Sequence, residues 1–202
     1  MVFERVVLRH QDLELSPIRL RDRKNYLHIR ELNRDWLQPW DATLPSTSIT
    51  QSSRIFDPAS NEAFFSLYFS ARKSNRDRSA LTLAMRTRGK QIGLITAASM
   101  NYGAARNCQI GYWIDHRFAG HGYTPKAVAL LIDYLILQRL FHRVEIAIRP
   151  ENQASLRVVQ KLQLRSEGLR PRYLHIDGDW RDHEIFAIDE SEIESGLIAK
   201  LY

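Results

Sequence analysis

The segment Arg117-Phe-Ala-Gly120-His-Gly122, followed by a long apolar stretch, constrains the fold of this 202-residue chain more than any other feature. Glycine permits positive φ and lets backbone amides approach a ligand without an intervening Cβ. The first N–H groups of a following helix lack partners within the helix and carry the positive end of its dipole. The pattern therefore favours an anion, most often a phosphate. A structural turn without a ligand is the alternative interpretation.

The order of the elements predicts a mixed α/β fold. Before the glycine turn we expect short strands at 6–8 and 13–20 and helices at 21–40 and 58–73, with a Ser/Thr-rich loop at 42–57 between the helices. Three further strands, at 80–85, 91–99 and 108–114, are expected to form a meander. A helix follows the turn, and after it we expect a strand at 144–148 and a helix at 152–162. A closing hairpin is then expected, in which 172–176 pairs with 184–188. We expect residues 1–202 to form one domain, a mostly antiparallel mixed sheet flanked by helices. The turn then falls at the carboxyl end of a central strand, where open sheets bind ligands.

Composition limits the compartment and the partners. The 29 Lys and Arg exceed the 23 Asp and Glu, which gives a net charge of +6 and suits an acidic ligand or a nucleic-acid-rich neighbour, although such a charge is also common in proteins that bind neither. The single cysteine, Cys108, excludes an internal disulfide and a cysteine-clustered metal site. No signal peptide is recognisable, and the longest apolar run, 127–132, is too short to span a bilayer. We expect a cytoplasmic protein with no membrane segment and no metal.

Two common phosphate-binding motifs do not fit the glycine turn, because its spacing differs from G-x-G-x-x-G and no Gly-Lys-Ser/Thr follows. Residues 110–123, Ile-Gly-Tyr-Trp-Ile-Asp-His-Arg-Phe-Ala-Gly-His-Gly-Tyr, instead resemble the GNAT superfamily of N-acetyltransferases, whose corresponding loop holds the pyrophosphate of acetyl-CoA. Residues 149–155, Arg-Pro-Glu-Asn-Gln-Ala-Ser, are similar to the Asn-x-x-Ser of its Rim branch.

The two ends of the chain give a narrower likeness. Residues 30–40, Arg-Glu-Leu-Asn-Arg-Asp-Trp-Leu-Gln-Pro-Trp, and 176–183, Ile-Asp-Gly-Asp-Trp-Arg-Asp-His, resemble the RimJ group of ribosomal-protein-alanine N-acetyltransferases. The resemblance covers nearly the whole chain. It implies a GNAT fold, acetyl-CoA as cosubstrate, and direct acetyl transfer to the N-terminal α-amine of a ribosomal protein. Ribosome association is an open expectation, and so is the oligomeric state, with a monomer and a homodimer as the alternatives.

The resemblance also implies a set of site residues. Contacts to acetyl-CoA are implied for Trp113, Ile114, Arg117, Ala119, Gly120, His121, Gly122, Tyr123 and Asn152. Ser155 is implied as the acid or as a contact to the thiol, although Asn152 and Ser155 also fit a helix N-cap and a polar first turn. Gly111 fits an interruption in the strand that would face the pantetheine amides, with a packing glycine as the alternative.

Three positions depart from the family pattern. Gln109 stands where relatives often carry a carboxylate, and Val159 stands where many carry a tyrosine four residues after the serine. Any general base must therefore come from elsewhere. His175 is favoured because an imidazole titrates near pH 7, with His183, Asp182 and Glu145 as alternatives and a structural role open for each. Gln163 replaces the usual helix-ending glycine and predicts either strain or a differently ended helix there.

An aromatic cluster, a basic cluster and the identity of the acceptor each have more than one interpretation. The first cluster fits a core or an acceptor cleft and consists of Trp36, Trp40, Phe64, Phe65 and Tyr68. The second fits a solvated turn or an RNA-facing surface and consists of Arg72, Lys73, Arg76, Arg78, Arg86 and Arg88. The acceptor alternatives are a small amine, a polyamine or an antibiotic, and a CoA-binding module without catalysis is a further class.

Overall fold

A computed structural model describes residues 6–45, 56–193 and 195–201, and one eight-stranded sheet forms its centre. The strands are β1 (Leu8–His10), β2 (Leu13–Ser16), β3 (Leu81–Thr87), β4 (Lys90–Ala98), β5 (Asn107–Ile114), β6 (Arg143–Ile148), β7 (Arg165–Ile176) and β8 (Asp179–Asp189), in the order β1-β2-β3-β4-β5-β6-β8-β7. Only the β5–β6 pair is parallel among these neighbours. The predicted fold class, a mixed and mostly antiparallel sheet flanked by helices, is confirmed.

Helices cover both faces of the sheet. They are α1 (Arg23–Leu32), α2 (Arg34–Leu37), α3 (Asn61–Asp77), α4 (Tyr123–Asp133) and α5 (Gln153–Lys161). The larger core lies on the face of α4 and α5, and a smaller cluster of Tyr26, Phe64 and Tyr68 joins α1 and α3 to the other face. Within the described ranges no helix combines the length and the apolar character needed to cross a membrane.

Strands β5 and β6 pair over a short distance and then separate. Their ladder consists of Asn107↔Arg143, Cys108↔Val144 and Gln109↔Glu145. Beyond these pairs β5 stays on β4 as far as Ile114, while β6 stays on β8 as far as Ile148. The sheet is therefore split at its middle, at the carboxyl ends of its two parallel strands.

The helical segment predicted for 21–40 is broken into shorter pieces. α1 ends at Leu32, Asn33 leaves helical geometry with φ −109° and ψ 21°, and α2 is followed by a 3-10 turn at Gln38–Trp40. Asn33 Nδ2 donates to the Ile29 carbonyl oxygen at 2.8 Å, a side-chain bond that competes with helical hydrogen bonding. Pro39 adds a second interruption because it lacks an N–H donor.

The pairing predicted for the closing hairpin is wrong. Asp177 and Gly178 have φ of 49° and 80°, which makes a two-residue turn with both central residues at positive φ. The register starting from that turn pairs Ile176 with Asp179 and His175 with Trp180. Residues 184–188 pair instead with β6 and with the beginning of β7. The Asp-Gly dipeptide was the signal for a turn this tight.

Of the two outcomes expected at Gln163, the structure shows strain and not a differently ended helix. Gln163 has a φ of 55°, in the left-handed region that disfavours residues with a Cβ. Its N–H donates to the Gln160 carbonyl at 3.0 Å, and the Leu164 N–H donates to the Val159 carbonyl at 3.0 Å. This pair of bonds is the usual glycine-type helix end, formed here without glycine.

The basic cluster is not a single surface. Arg86 is buried and donates two hydrogen bonds to the Asp22 carboxylate, at 2.9 and 2.6 Å, and one to Ser16 Oγ. A buried and paired guanidinium cannot face RNA, so the expectation that Arg86 could belong to an RNA-facing surface is wrong.

The Ser/Thr-rich loop predicted for 42–57 lies largely at 46–55, outside the described residues.

Candidate functional site

A cleft of about 1120 Å³ opens where β5 and β6 separate. One part of its wall, the loop half, consists of the residues before and at the beginning of α4 together with α5 side chains, namely Ala119, Gly120, Gly122, Tyr123, Thr124, Pro125, Arg157 and Lys161. The other, the tryptophan half, consists of Arg30, Trp36, Trp40, Asp41 and Trp113. Gly111, Tyr112, Ile114, Asn152 and Ser155 also line the cleft.

The loop half leaves the beginning of α4 without a side-chain cap. Gly120 and Gly122 have φ of 78° and 79°, and a Cβ on either would meet open space. Glycine is therefore required by the backbone conformation and not by close packing. Gly122 is the N-cap and supplies no side-chain acceptor to the first turn, while Pro125 removes an N–H that would also lack a partner. The geometry suits an anion bound by backbone amides.

A buried carboxylate holds this loop from inside the protein. Asp115 is fully buried and accepts hydrogen bonds from the Arg117 backbone N–H at 3.1 Å and from Asn33 Nδ2 at 3.2 Å. Burial alone would raise its pKa, but the hydrogen bonds from Arg117 and Asn33 outweigh burial and hold the pKa below its usual range. Asn33 Oδ1 also accepts the His116 N–H at 2.8 Å. The break between α1 and α2 thus positions the glycine loop.

Two residues implied as cofactor contacts do not line the cleft. Arg117 Nη2 lies 2.5 Å from Asp115 Oδ2, so its charge is neutralised by the buried carboxylate. His121 is exposed, with Nδ1 3.0 Å from the Ala119 carbonyl oxygen. The cations of the loop half are Arg157 and Lys161, which sequence analysis missed although their i, i+4 spacing places them on one face of α5.

The split gives β5 an open edge inside the cleft. Among the residues that the structure describes, β5 has no ladder partner on its β6 side past Gln109, and its residues from Gly111 to Ile114 line the cleft. A Cβ on Gly111 would meet no atom of the described residues within 4 Å, so the packing alternative for this glycine is not supported. An extended ligand that carries amides can pair with such an edge as an added strand does.

Asn152 and Ser155 meet at the beginning of α5. Asn152 Oδ1 accepts the Ser155 backbone N–H at 3.1 Å, so the N-cap interpretation is confirmed. Both residues also line the cleft, so capping and ligand contact are compatible. Val159 is fully buried in the core.

The hydroxyl of Tyr112 is buried beside this helix start. It has no hydrogen-bond partner among the described residues. Burial raises the pKa of Tyr112 to about 12, and the nearby Ser155 side chain partly offsets that rise without forming a hydrogen bond of ordinary geometry. Tyr112 was not among the predicted site residues, because the sequence does not show which hydroxyl lies beside Ser155.

The tryptophan half is a network of aromatic and charged groups. The Arg30 guanidinium lies 5.4 Å from the Trp113 ring centroid and pairs with Asp41, while its buried Nε has no hydrogen-bond partner within the described ranges. Trp36 Nε1 donates to the Ile114 carbonyl oxygen at 3.2 Å. Of the predicted aromatic cluster, Phe64 and Tyr68 belong to the core and Phe65 is exposed, so only the two tryptophans line the cleft.

The candidate bases lie outside the cleft lining. His175 has Nδ1 2.7 Å from Thr43 Oγ1 and packs edge-on against Trp180, on the edge strand β7 of the sheet. His183 is buried with its pKa lowered by desolvation. Glu145 is ion-paired with Arg143 at 2.9 Å, and the Asp182 carboxylate accepts the Arg172 N–H at 2.8 Å. The carboxylates that do line the cleft are Asp41 and Glu151.

Gln109, which stands where relatives often carry a carboxylate, has a structural role. Gln109 Nε2 donates to the Tyr173 hydroxyl at 2.7 Å, which links β5 to β7.

Across the described ranges, no three His, Cys, Asp or Glu side chains come together in a group that could hold a metal ion.

The split sheet, the glycine loop before α4 and the capped start of α5 together form a cleft that suits an anionic ligand carrying amides. The sequence matches the acetyltransferase (GNAT) domain family over residues 12–165. The chain belongs to this family and is an acetyl-CoA-dependent N-acetyltransferase.

Similar proteins extend the match over nearly the whole chain. "Probable N-acetyltransferase YjcK" of Bacillus subtilis is 24% identical over 90% of this chain and 96% of its own length. The [ribosomal protein uS5]-alanine N-acetyltransferase of Escherichia coli is 31% identical over 48% of this chain and 50% of its own. Among solved structures, Mycobacterium smegmatis RimJ in complex with CoA-disulfide has a TM-score of 0.85 at 29% identity, covering 97% of this chain and 91% of that one.

Proposed function

We propose that this enzyme acetylates the N-terminal α-amine of a ribosomal protein. The observation that carries the proposal is the tryptophan half, since the RimJ-like segment 30–40 supplies Arg30, Trp36 and Trp40 to the wall of the cleft that also contains Ser155. The names of two relatives, a RimJ and a ribosomal protein uS5-alanine N-acetyltransferase, support the same acceptor class. A ribosomal acceptor would place the reaction in the cytoplasm.

The loop half and the β5 edge fit acetyl-CoA. The uncapped amides at the beginning of α4 would hold the pyrophosphate, with Arg157 and Lys161 supplying positive charge from α5. The open edge of β5 from Gly111 to Ile114 would pair with the pantetheine amides, and the Asn152 side chain would contact the same arm. The bound cosubstrate supplies a thioester.

The chemistry places modest demands on the chain's own groups. An α-amine has a pKa of about 8 against about 10.4 for lysine, so a useful neutral fraction exists near neutral pH without a strong base. This suits a cleft in which Asp41 is already paired with Arg30. Ser155 would donate a hydrogen bond to the departing thiolate. The direct route needs no covalent enzyme intermediate.

Cys108 supports direct transfer. Its thiol is buried, and burial raises its pKa to about 12. A thiol with so high a pKa is a poor nucleophile at neutral pH. We expect Cys108→Ala to retain activity and acetyl-CoA alone to leave no acetyl group on Cys108, as intact-protein mass spectrometry would show. Complete loss of turnover in Cys108→Ala would argue against the direct route.

An acceptor screen tests the substrate class. Peptides that begin with Ala or Ser should release CoA thiol, and tandem mass spectrometry should place the acetyl group on the α-amine with internal lysines spared. The matched control is the same peptide with its α-amine already blocked, which should be inert. Acetylation confined to lysines, or to polyamines and other small amines, would refute the proposed acceptor. Tight CoA binding with no acceptor at all would instead indicate a binding module.

Ser155→Ala tests the role of the helix start. The variant should slow turnover by roughly 100-fold, while CoA affinity measured by titration calorimetry changes little, because the contact matters when sulfur charge develops. Equal losses in turnover and affinity would make Ser155 a binding residue only.

A further inference from the structure

Tyr112 and Ser155 both line the cleft, and the Tyr112 hydroxyl is buried and forms no hydrogen bond of ordinary geometry within the described ranges. Its side chain projects from the same face of β5 as Ile110 and Ile114 and packs against the core beneath α4 and α5. The hydroxyl is thus carried towards the beginning of α5, where the Ser155 side chain is near enough to affect it. The position combines burial, proximity to Ser155 and a missing partner.

An unpaired buried hydroxyl destabilises the protein that contains it. Phenylalanine would fill the same space without that cost, so packing alone does not account for a tyrosine. A buried hydroxyl without a partner calls for an explanation. One explanation is that the group gains its hydrogen-bond partner only when a ligand binds. The helix α5 offers no hydroxyl of its own four residues after Ser155, because Val159 stands there and is buried.

We propose that the Tyr112 hydroxyl donates a hydrogen bond to the Ser155 hydroxyl in the acetyl-CoA complex and aims the Ser155 proton at the sulfur. Tyr112 is then a positioning residue, since it acts through Ser155. The proposal rests on the role given to Ser155 under the proposed function.

The transfer balances without a proton from Tyr112. The amine nitrogen bonds to the acetyl carbon as the carbon–sulfur bond breaks, and the bonding pair stays on sulfur. The proton lost by the amine is the one finally gained by the thiol. Tyr112 remains protonated throughout and polarises the Ser155 O–H, so the negative charge on sulfur is stabilised through a chain of two hydrogen bonds.

A double-mutant cycle tests the proposal, with turnover measured on the best acceptor from the screen. Tyr112→Phe should lower kcat about 10-fold, the loss expected for one such hydrogen bond, with CoA affinity changed less than about 2-fold. In the Ser155→Ala background the same substitution should have no further effect. The melting temperature of Tyr112→Phe should equal or exceed that of the wild type, because an unpaired polar group is removed. A purely structural tyrosine would lower it.

Tyr134→Phe is the matched control, since Tyr134 is also buried but does not line the cleft, and its kcat should be unchanged. A crystal structure of the CoA complex gives a readout independent of activity, with the Tyr112 and Ser155 oxygens expected within about 3.2 Å. An unpaired Tyr112 in that complex, or equal losses from Tyr112→Phe in both backgrounds, overturns the proposal. Normal turnover in Tyr112→Phe alongside slow Ser155→Ala overturns it while leaving the proposed function intact. Normal turnover in Ser155→Ala removes the role of Ser155 and this inference with it.

Discussion

The two helices that begin at the cleft begin differently. α4 starts after Gly122, which has a φ of 79° and gives the first turn no side-chain acceptor. α5 starts after Asn152, whose side chain accepts the Ser155 N–H at 3.1 Å. A helix start without a side-chain cap leaves its first N–H groups and its dipole available to an external anion. At a capped start the side chain accepts one of these N–H groups, which fixes the position of the residue that donates it, here Ser155. Under the proposed function, the first helix start would bind the cosubstrate and the second would position Ser155.

The largest expected effect is at the uncapped start. Gly120→Glu should weaken CoA binding by at least about 100-fold, roughly 3 kcal/mol, because it puts a side chain at φ 78° and a carboxylate beside the phosphate site. Titration calorimetry against CoA measures this. Gly89→Glu is the matched control, since Gly89 has a φ of 76° in the β3–β4 turn with open space around it. Equal affinity in the two folded variants would remove the glycine loop as the phosphate site.

The support beneath the uncapped start comes next. Asn33→Ala should cost about 2 kcal/mol of unfolding free energy, because it leaves the His116 N–H without its acceptor and takes one donor from the buried Asp115. Urea denaturation measures the loss, and CoA affinity should fall with it. Asn101→Ala, at an exposed asparagine, should change stability by less than about 0.5 kcal/mol. A loss at Asn33 no larger than at Asn101 would show that the network does not hold the loop.

The capped start has a smaller expected effect. Asn152→Ala removes the cap of α5 and should lower the unfolding free energy by about 1 kcal/mol, or the melting temperature by about 2–4 °C for a chain of this size. Asn152→Asp keeps a capping acceptor and should melt near the wild type. If the Ala and Asp variants melt together, the cap contributes nothing measurable and the contrast between the two helices loses half of its basis.

The smallest effect is at the other end of α5. Gln163→Gly should raise stability by about 0.5 kcal/mol, since relief of left-handed strain slightly exceeds the added freedom of glycine in the unfolded chain. Gln160→Gly, inside the helix and exposed, should lower stability by about 1 kcal/mol. Thermal melts of the pair should therefore move in opposite directions. A decrease in both would mean that Gln163 makes contacts that outweigh its strain.

Features with local causes were predictable from the sequence. The positive φ of Gly120 and Gly122 and the Asn152 cap each follow from the conformational preference of a single residue, and the structure shows those conformations. The left-handed Gln163 opposes the preference of glutamine, and it was expected because relatives usually place a glycine at that helix end. The order of strands and helices along the chain around the glycine turn followed from apolar runs and turn residues. The fold class could therefore be stated from the chain alone.

Features decided by tertiary partners were not predictable. The loop motif fixes a backbone, but the Arg117 side chain turns to Asp115, because burying that carboxylate requires a compensating charge. Arg86 looked like a surface residue until Asp22, 64 positions away in sequence, proved to be its partner. His175 was chosen for its titration range alone, and no local signal shows that it bonds Thr43 outside the cleft lining. The position of Tyr112 beside Ser155 depends on packing between β5 and α5.

The short ladder between β5 and β6 also bears on the cooperativity of unfolding. Three residue pairs join the part of the sheet that contains β1 to β5 to the part that contains β6 to β8. So short a seam can open without global unfolding, and we expect amide hydrogens along it to exchange faster than those of the β3–β4 ladder. A ligand that pairs with the open edge of β5 would bridge the two parts beyond the seam. Bound cosubstrate should then slow exchange in strands it does not touch, so that the loaded enzyme unfolds as a single unit.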